Sequence, residues 1–244
     1  VEYYNGASPE LKSADAAAII SSATGNYGTS KYLGMFVQGH YGLKDRYFLT
    51  VTGKTEGDSR YGSDNPYSMF PAIGAAWEIS KESFLASAEW INYIKPRFAF
   101  GVTGNLPTLN NLYDIAYGTG TGYLGQTYTY PSKFANDNIR EERTTEYNLG
   151  MDWSFFRDRL TGQLDFYSRT TNNLLLQERL SSTLGYASQY VNFGTVRNSG
   201  WELGITGIIL KGSDTKLRWK SFFNIATNRN RLLALPEMFD ENAF

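Results

Sequence analysis

Apolar residues return at every second position in eight stretches of this chain, the spacing by which a strand gives one face to an apolar medium and the other to water. The first, about 31–44, sets Leu33, Met35, Val37, Tyr41 and Leu43 against Gln38, His40 and Gly42. In the second, 46–55, Tyr47, Leu49 and Val51 oppose Thr50, Thr52 and Lys54, and Phe48 breaks the pattern. The third, 69–80, carries Ile73, Ala75, Trp77 and Ile79; the fourth, 94–105, carries Phe98, Phe100 and Val102 against Arg97, Ala99 and Thr103. The fifth, 144–156, is the sharpest: Tyr147, Leu149, Met151, Trp153 and Phe155 alternate with Glu146, Asn148, Gly150, Asp152 and Ser154. The sixth, 159–170, sets Leu160, Leu164 and Phe166 against Thr161, Gln163, Asp165 and Arg169. The last two, 200–211 and 216–228, show Trp201, Leu203, Ile205 and Ile209, then Leu217, Trp219, Phe223 and Ile225, with Glu202, Thr206, Arg218, Lys220 and Asn224 behind them.

These stretches match the 9 to 11 or so residues of a membrane-crossing strand better than the 5 to 6 typical of soluble sheets. Their connections alternate between short links, near 45, 157 and 213 with an intermediate one over 81–93, and long loops over 56–68, 106–143 and 171–199. Short turns at one rim and long loops at the other characterise outer-membrane barrels. Residues 1–30 read as the tail of another extracellular loop, with a short helix capped by Ser13 over 13–20. Residues 229–244 read as the start of the next loop. The fold expected is an all-β antiparallel transmembrane barrel wall. A soluble β-rich binding or adhesion domain explains the alternation too, because period two does not say whether the apolar face meets lipid or a second sheet.

Composition narrows the function. A net charge of −1 offers no basic surplus for phosphates, so nucleic acid is not an expected partner. There is no cysteine and one histidine, His40, so neither a metal site nor a cofactor is expected. No apolar run approaches the length of a transmembrane helix, leaving strands as the means of crossing a bilayer. The segment Gly101-Val102-Thr103-Gly104-Asn105 lacks phosphate-loop spacing and reads as a strand end. Asp152 and Asp165 lie on polar faces of neighbouring strands; pairing with Arg169, Arg218 or water suits them better than glycoside hydrolysis. The chain does not read as an enzyme. Gln38, His40, Glu146, Asn148, Asp152, Gln163 and Asp165 are the candidate lumen-lining residues. The loop tyrosines Tyr61, Tyr67, Tyr113, Tyr117, Tyr123, Tyr128 and Tyr130 are the candidate substrate contacts, since each combines an apolar ring with a polar tip.

Short motifs in order along the chain carry a resemblance. Tyr47-Phe48-Leu49-Thr50-Val51-Thr52-Gly53 followed by Asp58-Ser59-Arg60-Tyr61-Gly62 resembles a hairpin of SusC/RagA-type TonB-dependent transporters. Phe70-Pro71-Ala72 with Trp77, Ser80, Glu82 and Phe84 is similar to the family's next segment, and Gly101-Val102-Thr103-Gly104-Asn105 to its following strand end. Asn192-Phe193-Gly194, Asn198-Ser199-Gly200-Trp201-Glu202 and Asn224-Ile225-Ala226-Thr227-Asn228 continue the series. Glu56-Gly57-Asp58 departs from the usual Arg-x-Asp-Gly, and the likeness says little of 106–138. The resemblance implies a plugged outer-membrane barrel of about 22 strands, of which this chain supplies about eight, with plug and TonB box preceding Val1. It also implies uptake of an oligosaccharide or peptide, a SusD-like surface lipoprotein as lid, and TonB as the source of work.

Overall fold

The computed structural model describes residues 5–6, 17–19, 29–105, 113–122, 125–186, 188–212 and 217–235. Contacts divide the chain into two units, 1–31 and 32–244. In the first, β1 (Asn5–Gly6) pairs antiparallel with β2 (Ala17–Ile19). The helix expected over 13–20 is corrected at its described positions: 17–19 are strand, so partnering between chain segments overrides the helix propensity of the alanines. Ser13, proposed as its cap, lies outside the described residues.

In the second unit, eight strands form one antiparallel sheet in chain order: β3 (Tyr32–Leu43), β4 (Tyr47–Asp58), β5 (Tyr67–Trp77), β6 (Ile91–Asn105), β9 (Glu142–Phe155), β10 (Leu160–Asn172), β13 (Thr195–Lys211) and β14 (Arg218–Ala234). Several expected bounds change; the fourth stretch begins at Ile91 and the seventh at Thr195. The third stretch stops at Trp77, and Ile79–Lys81 make a 3-10 turn. The eighth runs through Ala234, so 229–234 are strand and not the start of a loop. The long connections hold a second, four-stranded sheet: β7 (Ala116–Thr121) and β8 (Thr127–Phe134) from one loop, β11 (Leu175–Arg179) and β12 (Ser188–Asn192) from the other, ordered β11-β12-β8-β7.

Register in the large sheet is continuous, and residues directly opposite each other share a face. One row runs Tyr41, Leu49, Ala75, Phe98, Leu149, Phe166, Trp201 across seven strands. The row beside it, on the other face, runs His40, Thr50, Gly74, Ala99, Asn148, Tyr167, Gly200, Asn228. Phe48, which breaks the alternation, belongs to this polar face, where the Lys95 ammonium lies 5.1 Å from its ring centroid.

Burial is inverted relative to a soluble sheet. Leu33, Leu149 and Phe166 are about half exposed or more, while Glu56, Asp58 and Glu141 are buried. Among the described residues the apolar face of the large sheet is exposed, unlike the covered inner face of a β-sandwich. The stagger of the sheet says how it curves. Between the turn joining β3 to β4 and that joining β13 to β14, the register slides about seven residues over six strand steps. At about 3.4 Å per residue and 4.8 Å per strand this tilts the strands by about 40°, inside the range a closed barrel requires.

Local chemistry fixes the short-turn rim. Lys44 and Asp45 take positive φ, as the tightest antiparallel hairpins demand. One carboxylate, Glu82, then ties two hairpins together: it accepts hydrogen bonds from Tyr47 Oη (2.8 Å), Trp77 Nε1 (3.1 Å) and the Arg46 guanidinium (3.0 Å). Those donors hold its carboxyl below the usual range, the tyrosine bond contributing most. This explains the Trp77 and Glu82 spacing read in the sequence. Tyr47 stacks on Trp77 at 6.0 Å, and Trp90 lies 5.3 Å from Phe155, placing an aromatic band at this end. Trp201 stands apart from this band, at mid-sheet opposite Phe166.

Candidate functional site

The polar face is organised around one guanidinium. Arg97 on β6, Gly150 on β9 and Asp165 on β10 occupy consecutive positions of one row. The Arg97 side chain crosses over Gly150 to reach Asp165 Oδ2 at 2.8 Å, and its Nε reaches Asp152 Oδ2 at 3.2 Å. Only glycine permits this crossing. A Cβ at position 150 would fall 2.6 Å from the guanidinium carbon and 2.7 Å from Asp165 Oδ1. The expectation that Asp152 and Asp165 meet Arg169 or Arg218 is therefore corrected, because register brings Arg97 to them and gives Arg169 to Glu146 at 2.7 Å.

The other candidate lumen residues share this face. Gln38 donates through Nε2 to Thr52 Oγ1 (3.0 Å), leaving its oxygen to accept from His40 Nε2 (3.0 Å). His40 Nδ1 then accepts from the Thr50 hydroxyl at 3.0 Å. The only histidine is thus spent on a surface hydrogen-bond chain. Gln163 stands opposite Asp152. Asn148 joins Glu146, Asp165, Tyr167, Arg169 and Glu202 in lining a groove of about 350 Å³. Glu202 stands directly opposite Asp165, a like-charge pairing that costs energy unless a cation intervenes. Arg97 supplies that cation on the far side of Asp165.

The loop tyrosines divide. Tyr128 and Tyr130 lie on the β7–β8 ribbon with ring centroids 5.8 Å apart, covering Gly120 and Gly118 on the partner strand and open on the other side. Tyr117 is exposed on the same ribbon, on its opposite face. Tyr113 is half-buried, and its carbonyl accepts from Asn136 N. Tyr123 lies outside the described residues. Two expectations are corrected. Tyr67 belongs to the apolar face with Met69 and Ile73, its ring over Gly57, which makes it a rim aromatic and not an inward contact. Tyr61 is 3% exposed, at the rim beside the carboxylates of Glu141, Glu56 and Asp58, and its neighbour Gly62 bonds to the buried Ile139. Burial, reinforced by Glu141, pushes its phenol well above the usual range, so it stays neutral. Beside it Arg60 grips Asp58 through a fork of two bonds, 2.8 and 2.7 Å.

The long loops are joined to each other, which no local pattern announces. β8 and β12 pair in parallel, Lys133 opposite Ser188 and Phe134 opposite Gln189. Below them Asn136 Nδ2 donates to Tyr190 O at 2.8 Å. The Asn192 side chain then accepts from Arg140 N and donates to Arg140 O, both at 2.8 Å. The loop between β4 and β5 joins the same block through Gly62 N, which donates to Ile139 O at 2.7 Å. The signal was the Asn192-Phe193-Gly194 motif, unreadable without knowing which loop lies across from it.

A two-faced, tilted antiparallel wall with its polar interior and joined outer loops is matched by known proteins. Residues 1–235 match the model of the TonB dependent receptor-like β-barrel family. TonB-dependent receptor P26 of Formosa agariphila is 30% identical over 93% of this chain, and TonB-dependent receptor SusC of Bacteroides thetaiotaomicron 31% identical over 80%. The chain spans 25% and 20% of those two relatives, about a quarter of their length or less. Among solved structures, the RagAB peptide importer in its open-open state aligns over 90% of this chain with a TM-score of 0.77 at 24% identity, covering 25% of that chain. The siderophore receptor PirA of Pseudomonas aeruginosa aligns over 83%, covering 35% of that chain, with a TM-score of 0.53 at 15% identity. These two likenesses speak for the fold. The family is one of outer-membrane transporters and receptors, not of enzymes. The chain belongs to the TonB-dependent receptor-like β-barrel family, in its SusC/RagA-type branch, as part of the wall of a larger outer-membrane barrel.

Proposed function

We propose that this chain forms part of the wall and outer mouth of an active importer that brings a nutrient, an oligosaccharide or peptide, across the outer membrane. The observation that carries the reading is the pairing of an apolar outer face with a continuous hydrogen-bonding inner face centred on Arg97, Asp152 and Asp165. Gln38, His40, Glu146, Asn148, Asp152, Gln163 and Asp165 line a wet path for a polar solute. A SusD-like lipoprotein closes over the loops, and the TonB complex works through an N-terminal plug; family membership supports both.

Tyr128 and Tyr130, neighbours on one face of the β7–β8 ribbon, are the contacts offered to the solute. Residues 116–132 hold no charged side chain, only tyrosine, threonine, glycine and a few others. That neutrality, with ring faces open for stacking, favours an oligosaccharide over a peptide carrying charged ends. The test is uptake by cells that express the full-length receptor and its lipoprotein, offered a radiolabelled pool of neutral oligosaccharides or a peptide digest. Uptake of the oligosaccharides is expected. The variant with Tyr128→Ala and Tyr130→Ala is expected to bind them about tenfold more weakly, from about 0.5–1.5 kcal/mol per ring. Uptake of neither pool contradicts the importer, and uptake of the peptides alone contradicts the oligosaccharide.

A further inference from the structure

We propose that the three long loops of this chain work as one rigid cap, sealed along a seam between residues 133–140 and 188–192 whose positioning residue is Asn192. The proposal rests on the importer reading only for its uptake assay. The seam is unbroken in order: Lys133 opposite Ser188, Phe134 opposite Gln189, Asn136 on Tyr190, Arg140 on Asn192. Its upper part is backbone pairing. Where strand pairing ends, one carboxamide takes over, satisfying both the N–H and the carbonyl of Arg140 as a neighbouring strand would.

Asn192 reaches further than this pair. Its Nδ2 also donates to Asn173 O at 3.0 Å, the residue that leaves β10 at positive φ and whose Oδ1 accepts from the Arg140 guanidinium at 3.1 Å. Phe193 N donates to Leu174 O at 2.9 Å, and Gly194 at φ 102° turns the chain into β13. The Asn192-Phe193-Gly194 motif therefore bolts the seam to the barrel wall through β10 and β13. The opposite side of the block is held by Gly62 on Ile139, which is fully buried. The β7–β8 ribbon, with Tyr128 and Tyr130, hangs from the seam. A solute held by those rings is accordingly held by a body that moves as a unit. Loops that opened one by one would have to break two parallel-strand positions and at least four side-chain bonds.

These 244 residues contain no cysteine, so no native thiol within them competes for a staple across the seam. Lys133 and Ser188 are direct partners, within the separation a disulfide spans. In the full-length receptor, the variant carrying Lys133→Cys and Ser188→Cys is oxidised and assayed against its reduced form with whichever pool the unmodified receptor imports. The cap predicts that the cross-link forms and that uptake stays within about twofold of the reduced form. A staple that cuts uptake tenfold or more, with reductant restoring it, overturns the proposal, as does failure of the bond to form. Hydrogen exchange of Asn192→Ala keeps the test independent of uptake. Amides of 133–140 are expected to exchange at least about tenfold faster with the melting temperature unchanged. Asn192→Asp, which keeps the acceptor for Arg140 N, is expected to fall between. Unchanged exchange at 133–140 removes Asn192 from the role, and a lowered melting temperature reduces it to general stability. If the unmodified receptor imports neither pool, the importer reading fails while the exchange result still decides the seam.

Discussion

Gly150→Ala adds one methyl group to the wall, and the structure predicts that it breaks the ionic centre of the polar face. The new Cβ falls 2.6 Å from the Arg97 guanidinium carbon, so the guanidinium must withdraw from Asp165. At the effective dielectric of about 20 near a protein surface, a pair at about 4 Å attracts by about 4 kcal/mol. Desolvation of groups that remain 16–33% exposed removes most of that, leaving about 1–2 kcal/mol net. Withdrawal also leaves Asp165 facing Glu202 without its counter-ion. Gly39→Ala is the control, because a Cβ there meets nothing within 4 Å and alanine in a strand gains about 0.5 kcal/mol over glycine. The assay is equilibrium urea unfolding of the receptor in lipid vesicles, followed by tryptophan fluorescence. Gly150→Ala should cost about 1–2 kcal/mol in the native background and nothing, or a small gain, when combined with Arg97→Ala. Equal costs in the two backgrounds would refute the crossing of Arg97 over Gly150 as the reason for the glycine.

Glu82 should make the short-turn rim acid-sensitive. Its folded carboxyl lies below the ordinary value of 4.5, so the stability it contributes is present above that pH and is lost as pH falls through the folded value. The destabilisation caused by Glu82→Gln is therefore expected at pH 7 and should vanish in progressively more acid buffer; a difference that persists at the lowest pH would remove the carboxylate from this role. Phe166→Arg puts a charge into the middle of the apolar row and should cost about 2–4 kcal/mol in vesicles, whereas Gln163→Arg on the polar face should cost little in the same assay.

Alternation made the eight wall strands legible because lipid on one side and water on the other impose a strict contrast. Where that contrast fades, so did the reading. Asn228 through Arg231 are polar at every position, and the extension of β14 through them depends on pairing with β13, which no local pattern announces. β7, β8, β11 and β12 are short and mix Tyr, Thr, Gly, Ser and Gln with few aliphatic residues, so their sequences carry no run of alternating apolar positions long enough to read. Register hid the rest. Asp152 and Asp165 were visible as polar-face carboxylates, but their choice of Arg97 over Arg169 depends on a cross-strand alignment and on the vacancy at Gly150. Tyr61 resembles its fellow loop tyrosines in sequence because nothing in its neighbours tells that the next residue, Gly62, bonds to Ile139.

The two faces of the wall meet different solvents, lipid on the apolar side and water on the polar side. Single cysteines at Asn148 and Leu149, adjacent in β9 and opposite in direction, carry a nitroxide label in the receptor reconstituted in lipid. The label at 149 is expected to relax with oxygen dissolved in the bilayer and to be shielded from a water-soluble nickel chelate, and the label at 148 to show the reverse preference. Equal access of the chelate to both positions would contradict that expectation.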